Sequence, residues 1–358
     1  MRNLSYKDYL TGKYKEKAKF NFKHKKDALL WEANMKLNKA SGMDIGSNPY
    51  FYDYFEKWID TYKSVPNVSA RTFDNYVTTK NHVKTYFEFV KIKNITKVNY
   101  QTFLNELASK KAKSTNQKMN KHIRSCVKDA IESGIITKDF TYNVTVSGLE
   151  GQSEEDKFLS EDEIKRVMSE IRNGITLDMT TRWMAILQFA AGLRYSEVAG
   201  LTVDDLKNNT LRINKAWDFK GKKLGPTKNG LNRTIRIEPA VFKELRAYAI
   251  KKKEMNLKQG ISNDLLFTTI EGLPPSHTAM NKTLRRACKR ADVKKVTSHA
   301  LRHTHVSLLI YHGMDIVSIS KRIGHSSPTT TIEKYSHIIN ELEHKNDQIS
   351  DEMIASIF

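Results

Sequence analysis

Two cysteines in 358 residues are too few to build a disulfide framework. Cys126 and Cys288 stand far apart in helix-like contexts and read as reduced thiols filling core gaps, not as a disulfide or a metal pair. Long apolar runs are missing too. No stretch approaches the roughly 20 consecutive apolar residues that a membrane helix requires, so no membrane partner is expected. The opening MRNLSYKDYL has no apolar run behind its basic residue, which predicts no signal peptide and a cytoplasmic protein. No internal repeat and no low-complexity tail is evident. Acidic residues are the minority, 40 against 60 Lys and Arg, and they form no cluster of the kind that holds catalytic metal ions.

What is present begins with size. A chain of 358 residues exceeds the length at which one hydrophobic core usually stops growing, so two or three domains are expected. The 39% of hydrophobic residues suffices for packed cores. The net charge is +20 and the pI near 9.6, and the basic excess is spread along the chain. Such a distribution suits a protein that wraps a polyanion, because each neutralised phosphate releases counterions. It also fits a merely lysine-rich, solvated surface, and charge alone leaves both readings open.

Three segments follow from patterning. In residues 1–40, a run at Leu4–Leu10 and a turn at Thr11-Gly12 precede KYKEKAKFNF, where Lys13, Lys15, Lys17 and Lys19 alternate with Tyr14, Glu16, Ala18 and Phe20. Period two predicts a strand with four lysines on one face. Two readings stay open, a small sheet laid on DNA or an edge strand guarded by lysines. A helix with Ala28, Leu29, Trp31, Met35 and Leu37 as packing residues is expected next. The stretch SGMDIGSNP, residues 41–49, reads as a linker. Residues 50–146 carry four helical patterns. Their apolar positions are Phe51, Phe55, Trp58, Ile59 and Tyr62, then Tyr76, Val83, Tyr86, Phe87 and Val90, then Phe103, Leu104 and Leu107, then Met119, Ile123, Val127 and Ile131. Ser69 and Thr96 stand where N-caps are needed. These aromatics read as core, not as platforms for stacking bases. A second polar linker spans residues 147–157, after which Ser160-Glu161-Asp162-Glu163 forms a capping box. Beyond it, Trp183, Ile186, Leu187 and Ala190 predict a buried helix face ending at Gly192. Three strand-like runs follow, around Thr210–Trp217, Lys223–Lys228 and Asn232–Ile237, with turns at Gly221 and Gly230.

The chemistry-bearing residues fall in residues 158–358. AAGLRYSEVAGL holds Arg194 at a helix junction, and PTKNGLNRTIRI places Lys228 at the tip of a hairpin. SHALRHTHVSLLI sets His299 and Arg302 one turn apart on one helical face. RIGHSS contributes His325 at a glycine turn, and TIEKYSHI contributes Tyr335 in a helix. Two arginines, a lysine, two histidines and a tyrosine without clustered carboxylates suit phosphoryl transfer that uses no metal. Guanidinium forks bind paired phosphate oxygens, a tyrosine can store the bond energy as an ester, and a lysine can protonate a departing alkoxide.

Each of these residues alone is weak; their joint order is not. The segments GLRYSE, TKNGLNR, HALRHTH, IGHSS and EKYSH closely resemble the five active-site boxes of tyrosine recombinases of the lambda integrase type, including about ten residues between His325 and Tyr335. The resemblance is strong over roughly residues 155–340 and looser before them. It implies a multidomain, mainly α fold with small β elements. The parts would be a small β-hairpin plus helix as an arm-binding domain (1–40), a four-helix core-binding domain (50–146), and a mixed α+β catalytic domain with a C-terminal tail (158–358). It implies site-specific recombination of a mobile element from a low-GC bacterium, through a 3′-phosphotyrosine and without cofactor or metal. Position by position, Arg194 and Arg302 would clamp the scissile phosphate, Lys228 would be the general acid and Tyr335 the nucleophile. His299 would assist proton transfer, His325 would bond a phosphate oxygen, and Glu197 would orient the first arginine. Lys13, Lys15, Lys17 and Lys19 would contact DNA. Implied partners are double-stranded attachment sites, a homotetramer on DNA, a host bending factor and an excision factor, with the protein on the nucleoid when bound.

His303, His305 and His337 lie outside the family pattern and are expected to be structural or close to DNA. One departure is that arm-binding domains of the family usually have three strands before their helix, whereas two are evident here. In the tail, Ile349, Met353, Ile354, Ile357 and Phe358 form a stripe that needs a surface, on its own domain or on a neighbouring protomer. Three other readings remain. A type IB topoisomerase would relax DNA that lacks any specific site. A non-enzymatic DNA-binding protein would form no covalent adduct. A histidine-based metal phosphodiesterase would be inhibited by EDTA.

Overall fold

The computed structural model describes residues 2–7, 14–19, 24–26, 28–29, 48–65, 67–151, 158–336, 338–339 and 354–357. The chain divides into two compact units, residues 1–151 and 152–358.

In the first unit, β1 (Arg2–Lys7) and β2 (Tyr14–Lys19) pair antiparallel, with Leu4 opposite Lys17 and Tyr6 opposite Lys15. The side chains of these strands lie outside the described residues, as does all of Lys13, so the proposed lysine face is not described. Residues 25–26 and 28–29 are helical, and the remainder of the expected helix and nearly all of residues 41–49 also lie outside. Four helices follow: α1 (Phe51–Tyr62), α2 (Ala70–Phe87), α3 (Lys97–Ala108) and α4 (Lys113–Glu132). Ser69 caps α2 by accepting from the Thr72 N–H, and Thr96 forms a capping box with Asn99. These caps satisfy amide donors that a helix N-terminus leaves orphaned. The core gathers Phe51, Phe55, Trp58, Ile59, Val83, Phe87, Phe103, Leu104, Met119, Ile123 and Val127. Ring contacts such as Phe51 on Phe87, at 5.7 Å between centroids and 72°, give it edge-to-face packing. Tyr62 departs from its expected place. It ends α1 beyond the core face and is exposed.

The second unit opens with α5 (Glu161–Arg172), capped by the reciprocal box of Ser160 and Glu163. Then come α6 (Thr180–Ala191) and the short α7 (Tyr195–Ala199). Met184 and Ala185 share the buried face of α6 with Ile186 and Leu187, whereas Trp183 and Ala190 are half-buried. Next are β3 (Leu206–Lys207), β4 (Thr210–Ile213), β5 (Ala216–Asp218), β6 (Lys223–Gly225) and β7 (Arg233–Arg236). The expected run Thr210–Trp217 is broken in two, and its halves enter different sheets. One sheet has the order β3-β4-β7, and the other is the hairpin β5-β6. Lys228 is therefore not at a hairpin tip. It sits in the turn that carries the chain from β6 in one sheet to β7 in the other. The unit continues through α8 (Pro239–Lys258), α9 (His277–Arg290), α10 (Ser298–Tyr311) and α11 (Ile316–Ile323), and ends its continuous part in α12 over residues 328–336. Its main core includes Val167, Met184, Leu187, Val198, Leu211, Leu245, Leu284 and Leu301. A smaller cluster of Val306, Ile310, Ile319, Ile323, Tyr335 and Ile338 fastens α12 to α10 and α11. Of the tail stripe, Ile354 and Ile357 are described and exposed. Among the described residues no helix is long and apolar enough to cross a membrane.

Candidate active site

The site is built where helix ends meet. Helix α6 stops at Gly192, whose φ of +65° is the left-handed conformation that a side chain disfavours. Two residues later Arg194 stands at the N-cap of α7, and Glu197 one turn on reaches back to the Arg194 N–H at 3.0 Å. The same carboxylate accepts from Arg194 Nη1 at 2.9 Å and from Arg233 Nη2 at 2.8 Å. Glu197 is fully buried. Burial pushes its carboxyl up, but the hydrogen bond and charge of Arg233, then Arg194, outweigh this and hold it below its ordinary value. Arg194 Nη2 also donates to the Gly324 carbonyl at 3.1 Å, and Arg233 Nε to the Arg322 carbonyl at 2.8 Å. One buried carboxylate thus ties α7, β7 and the end of α11 together.

Arg302 lies on α10, one turn after His299, and is 3% exposed. Its Nη1 donates to the Gly192 carbonyl at 2.9 Å, while its Nη2 is buried with no hydrogen-bond partner among the described residues. An unsatisfied buried donor costs about 1–3 kcal/mol, more when charged, so this guanidinium is poised for an anion. Burial, then the charge of Arg194, disfavours its protonated form. His325 follows Gly324, the left-handed cap of α11, and its Nδ1 bonds Thr331 Oγ1 at 2.9 Å. Burial, then Arg302 and Lys334, push its imidazole down to about 3. Surrounding protein, then Arg302 and Lys334, bring His299 to about 4, although part of that ring is open to solvent. Both imidazoles are neutral at pH 7.

Arg194, Lys228, His299, Arg302, His325 and Tyr335 line one cavity of about 260 Å³. Lys334 and His303 add to its charged and titratable lining, and no carboxylate lines it among the described residues. All six principal residues expected from the sequence are therefore brought together, with Glu197 behind the first arginine. Three residues were missed. Arg233 shares Glu197, Lys334 adds a fourth cation, and His303 Nδ1 lies 2.8 Å from the Tyr335 hydroxyl. The available signal for His303 was its place one turn after His299 on the same helix. His305, for which a structural or DNA-proximal place was expected, packs inside the second unit. It is buried, accepts from Arg322 Nε at 3.2 Å and abuts Gly192. His337 lies outside the described residues. No three His, Cys, Asp or Glu side chains converge as a metal site among the described residues.

Comparison with known proteins gives this geometry its context. Residues 157–341 match the Phage integrase family, and residues 50–108 match the phage integrase N-terminal SAM-like domain. The integrase of Staphylococcus phage L54a is 26% identical over 347 residues, covering 89% of this chain and 97% of that protein. The ICEBs1 integrase of Bacillus subtilis is 29% identical over 204 residues, or 54% of each chain. Among solved structures, the Tn1549 transposon integrase in complex with transposon right end DNA superposes with a TM-score of 0.67 at 18% identity, covering 82% of this chain and 98% of that one. A lambda integrase tetramer bound to a Holliday junction gives 0.63 at 17% identity, over 91% and 93%. These structures share the fold. With more than half of its length matched, the chain belongs to the phage integrase family and is a tyrosine recombinase.

Proposed function

We propose that this recombinase integrates and excises a mobile element by cutting and rejoining double-stranded DNA, with Tyr335 as nucleophile. The observation that carries the assignment is the cavity itself, where, among the described residues, four cations and no carboxylate line a space that Tyr335 also lines. A scissile phosphate there would offset the repulsion among Arg194, Lys228, Arg302 and Lys334. Attack on phosphorus develops charge on the non-bridging oxygens. Arg194 and the Nη2 of Arg302, which has no partner among the described residues, are suited to bind it, and neutral His299 and His325 can each present a ring N–H to the same oxygens. Lys228, exposed in its connecting turn, can reach the leaving 5′-oxygen and protonate it. The phosphotyrosine retains the bond energy, so rejoining needs no ATP.

The wider reading follows the same family logic. The helical domain and the lysine-rich hairpin would each hold DNA, and the linked contacts would raise each other's effective concentration. Protomers would work as a tetramer on paired sites, with a host bending factor and an excision factor setting direction on the nucleoid. The test is a plasmid carrying two copies of the DNA that flanks the coding gene. Recombination is expected without ATP and in the presence of EDTA, only when both copies are present. Loss of the reaction with EDTA, or equal relaxation of plasmids lacking either site, would overturn the reading.

A further inference from the structure

Tyr335 is 2% exposed, and its ring belongs to the cluster of Val306, Ile310, Ile319 and Ile323. Its hydroxyl meets His303 Nδ1 at 2.8 Å, with the two rings tilted at 51°. His303 is half-buried on α10, packs edge-to-face on His299 at 4.7 Å, and lines the same cavity as Arg194 and Lys228. We propose that His303 is the general base that takes the phenolic proton from Tyr335 during strand cleavage, a role that rests on Tyr335 being the nucleophile.

The reasoning is chemical. A phenol with an ordinary pKa near 10 is protonated at neutral pH, and its attack on phosphorus would leave that proton on a bridging oxygen. A proton acceptor within hydrogen-bond reach removes this cost. With its proton on Nε2, the imidazole presents the Nδ1 lone pair to the hydroxyl. In cleavage the Tyr335 Oη–P bond forms and the P–O5′ bond breaks. The phenolic proton passes to His303 Nδ1, and the Lys228 ammonium gives a proton to O5′. In rejoining the 5′-hydroxyl attacks, its proton returns to the Lys228 amine, and the imidazolium of His303 returns its proton to the departing tyrosine oxygen. Nothing is consumed over the cycle. His299, one turn earlier and open to the cavity, is left to the phosphate oxygens.

His303→Asn is the discriminating variant. It is close in size and places an amide oxygen near the position of Nδ1, so it keeps a hydrogen-bond acceptor that cannot take the proton. On a nicked suicide substrate, His303→Asn and His303→Ala are expected to form the covalent adduct 10²–10⁴-fold more slowly than wild type, with DNA binding unchanged. A substrate with a 5′-bridging sulfur should restore Lys228→Ala, because a thiolate leaves without a proton. It should leave both His303 variants slow, because the phenolic proton must still be removed. A wild-type rate in His303→Asn overturns the proposal, and so does rescue of the His303 variants by sulfur. Tyr335→Phe in the same assay separates the two claims. An adduct there sinks the nucleophile itself, whereas an inactive Tyr335→Phe beside a fully active His303→Asn sinks only the base.

Discussion

At the scale of single residues, Glu197 does the most to fix the geometry. Its two oxygens serve a pair of guanidinium groups and one backbone amide, so a carboxylate that would be costly to bury becomes a rigid node. Arg233 is the partner that never lines the cavity; its side chain is 8% exposed. Arg233→Ala leaves Glu197 short of compensation, and breaking a buried pair of this kind costs about 3–5 kcal/mol. Urea denaturation of the variant should show that loss, together with slower cleavage as Arg194 loses its fixed orientation. An unchanged midpoint would contradict it. Arg302→Ala should act differently, because its buried Nη2, without a partner among the described residues, is proposed to meet charge that develops only during reaction. Single-turnover cleavage should fall by about 10²–10³-fold while DNA is still bound. A rate near wild type would remove Arg302 from the phosphate clamp.

At the scale of elements, the site depends on where helices stop. A Cβ on Gly192 would lie 2.5 Å from His305 Cδ2, and the residue's φ is one that L-amino acids disfavour by roughly 1–2 kcal/mol. Gly192→Ala must therefore shift both His305 and the carbonyl that anchors Arg302. A drop of at least about 1–2 kcal/mol in stability and a marked drop in adduct yield are expected. Normal values for both would show that the turn tolerates a side chain. Features of this kind were legible in the sequence wherever the signal is local. The capping residues Ser69, Thr96 and Ser160, the glycine stop at Gly192 and the His299–Arg302 spacing all depend on neighbours within one helical turn. Strand pairing in the second unit was not legible. β4 finds β7 across the intervening β5-β6 hairpin, so alternation alone joined Thr210 to Trp217 and put Lys228 on a hairpin. His303 was missed for the same reason. Its partner Tyr335 arrives on α10 from a helix 32 residues further along the chain.

At the scale of the whole molecule, a net charge of +20 is held beside imidazoles that the fold keeps neutral. Burial, then Arg322 and Arg302, press His305 down to about 3, and His299, His325 and His122 are also lowered to about 4, 3 and 4. An unfolded chain binds these protons near pH 6.5, so below that value it binds more protons than the folded protein. Stability is then fully present above pH 6.5 and is lost as pH falls toward 3–4. Buried His305 alone contributes a slope of about 1.4 kcal/mol per pH unit in that window, roughly 2 kcal/mol by pH 5. Thermal unfolding should therefore shift down between pH 7 and pH 5. His305→Gln, which can still accept from Arg322, should shift less. A midpoint independent of pH across this range would contradict the account.

The most direct measurement is covalent trapping on a nicked suicide substrate, followed by mass mapping of the peptide that carries the nucleotide. Wild-type protein should yield an adduct on Tyr335, and Tyr335→Phe, which removes one hydroxyl from a buried ring, should bind the same DNA and yield none. An adduct on any other residue, or one that persists in Tyr335→Phe, would contradict the central claim.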